Sequence, residues 1–234
     1  MKALRWLAAA LLFTSAGAAF AADTPESWDG LVEVKPKRMD AAFLLPGADF
    51  RPYTKVMIDP TQVAFQKDWL RRMNDNRDLS RHVSQQDAEK ILAAARTGFD
   101  EVFAEEFGKS SYGVVTAPGP DVLRVSTAVA NLYINAPDVD GPGRSTSFTT
   151  EAGEATLFVE VRDSQSGALL GRVIDRRDTQ GTAGPMQANR ATNTAEFRAL
   201  FRNWAGITIK GLDELKAHSP VPLDLKPGQK PPKD

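Results

Sequence analysis

Residues Gly153–Arg177 read GEATLFVEVRD-SQSG-ALLGRVIDRR, and the fold is decided there. The apolar run Ala155–Val161 is broken by polar residues at strand-like intervals. Ser164-Gln165-Ser166-Gly167 is a short connection ending in glycine, so Gly153–Asp163 and Ala168–Arg177 are expected to pair as a hairpin. Alternation along the second arm puts Arg172, Ile174 and Arg176 on one face, with Val173, Asp175 and Arg177 on the other.

Two further extended segments precede the hairpin. Tyr112–Thr116 ends at the turn Ala117-Pro118-Gly119-Pro120, and Asp121–Asn135 alternates with both faces partly apolar. Between Asn135 and Gly153, Ala136–Ala152 is rich in Gly, Pro, Ser and Thr and reads as a mobile surface loop or a strand extension. Upstream, Ser84 with Asp87 three residues on is a capping-box variant. Ala88, Ile91, Leu92, Ala95, Phe99, Val102, Phe103 and Phe107 then recur at helical spacing, with Gly108 as the stop. Gln66–Met73 is a candidate short helix, and Asn74–Arg81 a polar loop.

Tyr53–Phe65 reads as a first strand, with Pro60 marking a bulge or an edge. Residues 22–50, punctuated by proline and glycine, read as a lead-in arm with one short strand near Leu31–Lys35. Thr194 is a candidate cap for a closing helix that carries Phe197, Leu200, Phe201, Trp204, Ile207, Leu212 and Leu215, weakened by Gly206 and Gly211. Residues 218–234 hold five prolines and few apolar groups, the composition of a flexible tail. The expected fold is therefore α+β, a single domain over residues 51–217. Its order is β-α-β-β-β-β-α, a largely antiparallel sheet of about five strands with two long helices on one face.

The 234 residues include no cysteine and two histidines, His82 and His218. Thiolate catalysis, zinc–thiolate sites and iron–sulfur clusters are excluded. Lys plus Arg number 29 against 30 Asp plus Glu, so nothing in the charge balance points to nucleic acid. Met1–Arg5 carries two positive charges, Trp6–Phe13 is apolar, and Ala19-Phe20-Ala21 fits a small-x-small cleavage rule. Residues 1–21 are thus expected to be a signal peptide, cut before Ala22. Removing Lys2 and Arg5 with them leaves a net charge of −3. With no cysteine to carry a lipid, a free periplasmic form without disulfides is expected.

No catalytic constellation assembles from spacing. A Gly-x-Ser-x-Gly elbow is absent, and both histidines read as solvated. Asp138-Val139-Asp140-Gly141 opens like a calcium loop but lacks the closing glutamate, because position 149 is Thr. Gly141-Pro142-Gly143-Arg144 lacks the strand–turn–helix setting of a phosphate cradle. Asp100, Glu101, Glu105 and Glu106 fall on a polar helix face. The notable charge cluster is Arg162, Arg172, Asp175, Arg176 and Arg177, with Asp163 across the hairpin. It reads either as a charged rim held by cross-strand pairs or as a recognition patch for an acidic partner.

At Trp28-Asp29-Gly30-Leu31, Leu45-Pro46-Gly47-Ala48-Asp49-Phe50 and Tyr53–Pro60 the chain resembles a bacterial family of exported envelope proteins of unknown function. Many of its members are predicted outer-membrane lipoproteins. The resemblance continues through the Asp163–Gly167 turn, Asp175-Arg176-Arg177, Phe201 and Trp204-Ala205. It implies no activity, catalytic residue or cofactor.

The leading expectation is a non-enzymatic accessory or protein-interaction module of the cell envelope, with envelope proteins as partners and no cofactor or metal. The alternative is a periplasmic small-molecule or lipid-binding protein, in which Phe197, Phe201 and Trp204 line a pocket instead of filling a core. A hydrolase using Asp59, Asp163 and Asp175 comes third and needs two of them to converge in a cleft.

Overall fold

A computed structural model describes residues 27–75, 82–135, 147–149, 153–179, 186–188 and 190–230. The expected leader, the calcium-like and glycine-rich motifs of 138–144 and most of the 74–81 loop lie outside the described residues. In chain order the strands are β1 (Ser27–Trp28), β2 (Leu31–Val34), β3 (Ala41–Leu44), β4 (Lys55–Ile58) and β5 (Gln62–Phe65). Helices α1 (Trp69–Asn74) and α2 (Gln85–Gly108) follow, then β6 (Gly113–Val114), β7 (Val122–Ile134), β8 (Ser147–Thr149), β9 (Gly153–Asp163), β10 (Leu169–Asp178) and β11 (Met186–Ala188). Helix α3 (Arg190–Ala217) closes the order and starts ahead of Thr194.

The hairpin of β9 and β10 is the centre of the sheet. Its register opposes Arg172 to Glu160, Ile174 to Phe158 and Arg176 to Thr156. Among the described residues one mixed sheet of nine strands runs β1-β2-β3-β10-β9-β7-β4-β6, with β5 also on β7, and β8 pairs with β11 apart from it. The α+β class holds, but the sheet is wider than five strands. Much of the added width comes from the lead-in arm, whose β1, β2 and β3 extend the sheet beyond β10.

The sheet is also mixed in direction. Both β4 and β5 lie parallel to β7, because the chain crosses over through α1 and α2 before it returns. Pro60 splits the expected Tyr53–Phe65 strand in two. At the break the Thr61 amide donates to Asp100 of α2 at 2.9 Å, and the buried Thr61 hydroxyl donates to the Thr127 carbonyl. The ladder bond that proline interrupts is thus replaced from a helix and a side chain. Asp100 is therefore a structural acceptor, and burial pushes its carboxyl up.

Ser84 caps α2 as expected: its Oγ accepts from the Asp87 amide, and its own amide donates to the Asp87 carboxylate, each at 3.1 Å. Phe99, Val102, Phe103 and Phe107 bury one face of α2, and Phe99 meets Phe201 of α3 edge-to-face at 5.1 Å. Both long helices cover the sheet face that carries Leu157, Val159 and Val161. In β7 a bulge at Asn131, φ +52°, resets the alternation so that Leu132 and Ile134 stay on that face. Gly153 sits against this bulge, where a Cβ would fall 1.8 Å from the Tyr133 carbonyl oxygen.

The segment expected as a flexible tail is packed as far as residue 230. Val221 exchanges backbone bonds with Gly47 and Ala48, and Lys35 and Gln229 bond where β1 leaves the edge of β2 open. Val221 and Leu225 are buried. Composition averaged over the prolines hides these two apolar anchors.

Candidate functional site

Strand alternation divides the hairpin cluster between two faces. Arg162, Arg172 and Arg176 lie on the face away from the helices, while Asp175 and Arg177 lie beneath α3. Asp175 is 2 % exposed and accepts the Trp204 indole N–H at 2.7 Å, the Arg177 guanidinium and the Asp40 amide. Arg177 also donates to the Arg38 carbonyl at 2.8 Å, which fixes the β2–β3 loop. This inner pair ties strand, loop and helix together.

On the outer face each arginine already holds a carboxylate. Arg172 is 7 % exposed; it donates to Glu160 through Nε and Nη2 and to Asp29 through Nη2 at 2.9 Å. Its guanidinium lies 3.9 Å from the centroid of the Trp28 ring, and its Nη1 is buried without a hydrogen-bond acceptor. Arg162 donates to Glu160 at 2.8 Å, Arg176 pairs with Glu154, and Arg124 pairs with Asp59. Burial pushes the Glu160 carboxyl up, but the Arg162 and Arg172 guanidiniums outweigh it and hold the group below its ordinary value.

The register sorts this face into rows. Gln62, Ala128, Phe158, Ile174 and Ala41 stand opposite one another across β5, β7, β9, β10 and β3. One row along stand Ser126, Glu160, Arg172 and Phe43, and on the other side Ala130, Thr156 and Arg176. A mainly apolar stripe thus crosses the sheet between a row that holds Glu160 and Arg172 and a row that holds Arg176, and no described helix lies over it. Toward β1 it merges with a second apolar cluster of Leu31, Ala41 and Phe43, with Trp28 edge-on to Phe43 at 5.8 Å.

The three carboxylates of the hydrolase reading do not converge. Asp59 bonds Arg124 and Ser126 on the outer face, whereas Asp175 lies beneath α3. Asp163 organises the hairpin turn through the Ser166 and Gln165 amides and accepts from the Tyr53 hydroxyl at 3.0 Å. Burial and the Asp163 carboxylate push the Tyr53 phenol up to about 12. Among the described residues no group of three His, Asp or Glu side chains is placed to hold a metal ion.

Phe197, Phe201 and Trp204 fill core against Phe99 and Asp175. A cavity of about 130 Å^3 lies farther along α3, between Ile207, Gly211 and Leu215 and the sheet residues Ala42, Val159 and Val161. It is smaller than the roughly 300 Å^3 of a drug-sized site. Val221 and Leu225 of the C-terminal strap close one side, and Lys37, Arg38, Glu214 and His218 stand at its rim. His218 is half-buried there, not solvated. The cavity was legible in part: Ile207, Gly211 and Leu215 follow at four-residue steps, so a glycine interrupts an apolar helix stripe.

Residues 20–207 match the family model described as "Protein of unknown function (DUF3313)". The chain belongs to this family. Comparison with curated proteins gives no match. Among solved structures, a PelC dodecamer from Paraburkholderia phytofirmans is 10% identical, covering 71% of this chain and 94% of its own, with a TM-score of 0.34. A putative neuraminyllactose-binding hemagglutinin homolog from Helicobacter pylori is also 10% identical, covering 74% and 89%, at 0.36. Protein XCC0632 from Xanthomonas campestris, of family DUF330, is 12% identical, covering 74% and 91%, at 0.33. These superpositions are too loose to bear on what the family does.

Proposed function

We propose that this member of the family is an exported, non-enzymatic accessory module of the cell envelope that binds a partner protein through the outer face of its sheet. The observation that carries the reading is the in-register stripe Ala128–Phe158–Ile174, flanked by charges that the chain itself compensates. An apolar centre with a polar rim is the anatomy of a protein contact. Trp28, held against the buried Arg172, supplies at one end a residue type that dominates binding energy in such contacts. Because Arg162, Arg172 and Arg176 are already paired, recognition rests on the apolar stripe, and the arginines set its border. The exported location rests on the pattern of residues 1–21. No described helix is long and apolar enough to cross a membrane, which is compatible with that location.

The test is a photo-crosslinking amino acid placed at Phe158 in living cells, with Glu89 on the exposed side of α2 as the control position. The expected result is one reproducible envelope protein captured from Phe158, absent from Glu89, and lost on Ala128→Arg. Equal capture from both positions overturns the face assignment. An intact N-terminus in a cytosolic fraction overturns the location.

A further inference from the structure

The cavity beneath α3 is independent of the outer face. Its walls are aliphatic, from Ala42, Val159 and Val161 on the sheet to Ile207 and Leu215 on the helix. The hydroxyl of Thr208, a polar group in the lining, is already committed to the Trp204 carbonyl at 2.8 Å. Apart from the His218 imidazole at the rim, the walls therefore offer no directional polar contact, and they fit a saturated chain better than a polar or aromatic heterocyclic ligand. Gly211 creates the space, since a Cβ built there meets nothing within 4 Å. Gly171 lies across the cavity, but a Cβ there would press on Leu44, Val161 and the Phe43 carbonyl at 3.2–3.3 Å. The void is thus adjustable at one position and fixed at the other.

The rim adds a sign. Lys37 and Arg38, from the β2–β3 loop, both pair with Glu214 of α3, at 3.2 and 2.8 Å. Two cations share one carboxylate, so one positive charge is left over at the opening. All three side chains are more than a third exposed, and bridges of that kind are weak and easily exchanged. An anionic group arriving at the rim meets two donors that can turn to it without breaking any buried contact.

We propose that this cavity binds the alkyl chain of a single-chain amphiphile with an anionic head, the head lying between Lys37 and Arg38. The volume limits the buried part to a short chain end, because a cavity of about 150 Å^3 lined by aliphatic and aromatic residues takes up benzene. The remainder of a longer chain passes out between the loop and the strap.

The experiment uses the full chain and calorimetric titration with octanoate, octyl phosphate and octanol, each below its micelle concentration. Methyl NMR of Ile207 and Val159 locates the site. Both anions are expected to bind and to shift these methyls, and octanol to bind about tenfold more weakly, a difference of one charged hydrogen bond. Comparing octanoate with octyl phosphate separates a free carboxylate from a phosphate head. Gly211→Leu is expected to abolish binding while raising the melting temperature, since it fills space and removes a helix glycine. Ala42→Leu fills the same space from the sheet side and serves if the first variant does not fold. Lys37→Gln with Arg38→Gln should reduce octanoate affinity to that of octanol. No methyl shift at millimolar octanoate overturns the proposal, leaving a packing void or a socket for a partner's side chain. Binding that survives in both filled variants overturns it as well. Equal affinities for octanoate and octanol in the unaltered chain overturn the head assignment. Failure here leaves the outer-face reading untouched, because none of the cavity-filling or rim variants falls in the stripe Ala128–Phe158–Ile174.

Discussion

Arg172 and Arg176 stand four residues apart on one strand face, yet their surroundings differ. Arg172 is buried under Trp28 and holds Glu160 and Asp29; Arg176 is exposed and pairs with Glu154 at the rim. Replacing Arg172 with Ser strips the half-buried Glu160 of one of its two arginine partners and is expected to cost about 2–3 kcal/mol in urea unfolding. Arg176→Ser is expected to cost less than about 1 kcal/mol. Similar losses for the two variants would mean that burial does not decide the value of these pairs. Glu160 also sets an acid limit. Its folded-state carboxyl is held below the ordinary value, so its contribution is complete above that value and fades as pH falls through the folded one. Thermal midpoints should therefore drop as pH falls below the ordinary carboxylate value, and Glu160→Gln should flatten that drop. Alternation alone assigned these arginines to their faces. It could not show which carboxylate each would hold, because Asp29 comes from the lead-in arm and Glu154 lies diagonally across the hairpin from Arg176.

At the scale of elements, legibility followed the strength of the local signal. The α2 cap was readable because a capping box joins residues three positions apart. Ser84→Ala should accordingly destabilise the fold by about 1 kcal/mol, measured by chemical denaturation, with an unchanged slope. The lead-in arm was not readable as three strands. Its β3 reads Ala-Ala-Phe-Leu and is buried on both faces, so no alternation marks it, and β1 has only two residues. Strand direction was hidden too, since the pattern of β7 is the same whether its neighbour runs parallel or antiparallel. The start of α3 ahead of Thr194 shows a plausible cap residue lying inside a longer helix.

Across the whole molecule, the strap of residues 218–230 is what composition hid most completely. Prolines lower the apolar average of the segment, but stability depends on where Val221 and Leu225 land. Both land over the apolar space between α3 and the sheet. A chain ending at Ala217 loses both anchors and uncovers the residues beneath them. It is expected to melt about 10 °C lower, taking roughly 3 kcal/mol for the lost burial in a domain of this size. An unchanged midpoint by differential scanning calorimetry would reduce the strap to a passive tail. The cavity was only half legible for a related reason: Gly211 signals a weak helix in sequence, and only packing shows what faces it.

The strap also brings the two limits of the described residues together. Ser27 stands opposite Val32 and Gln229 opposite Val34, two residues apart along the same strand. A short peptide could join these points, and the backbone could be reopened at the Ser164–Gly167 turn with every residue pairing of the sheet retained. Residues Ser27 and Gln229 therefore both lie at one edge of the sheet, on the far side from β6.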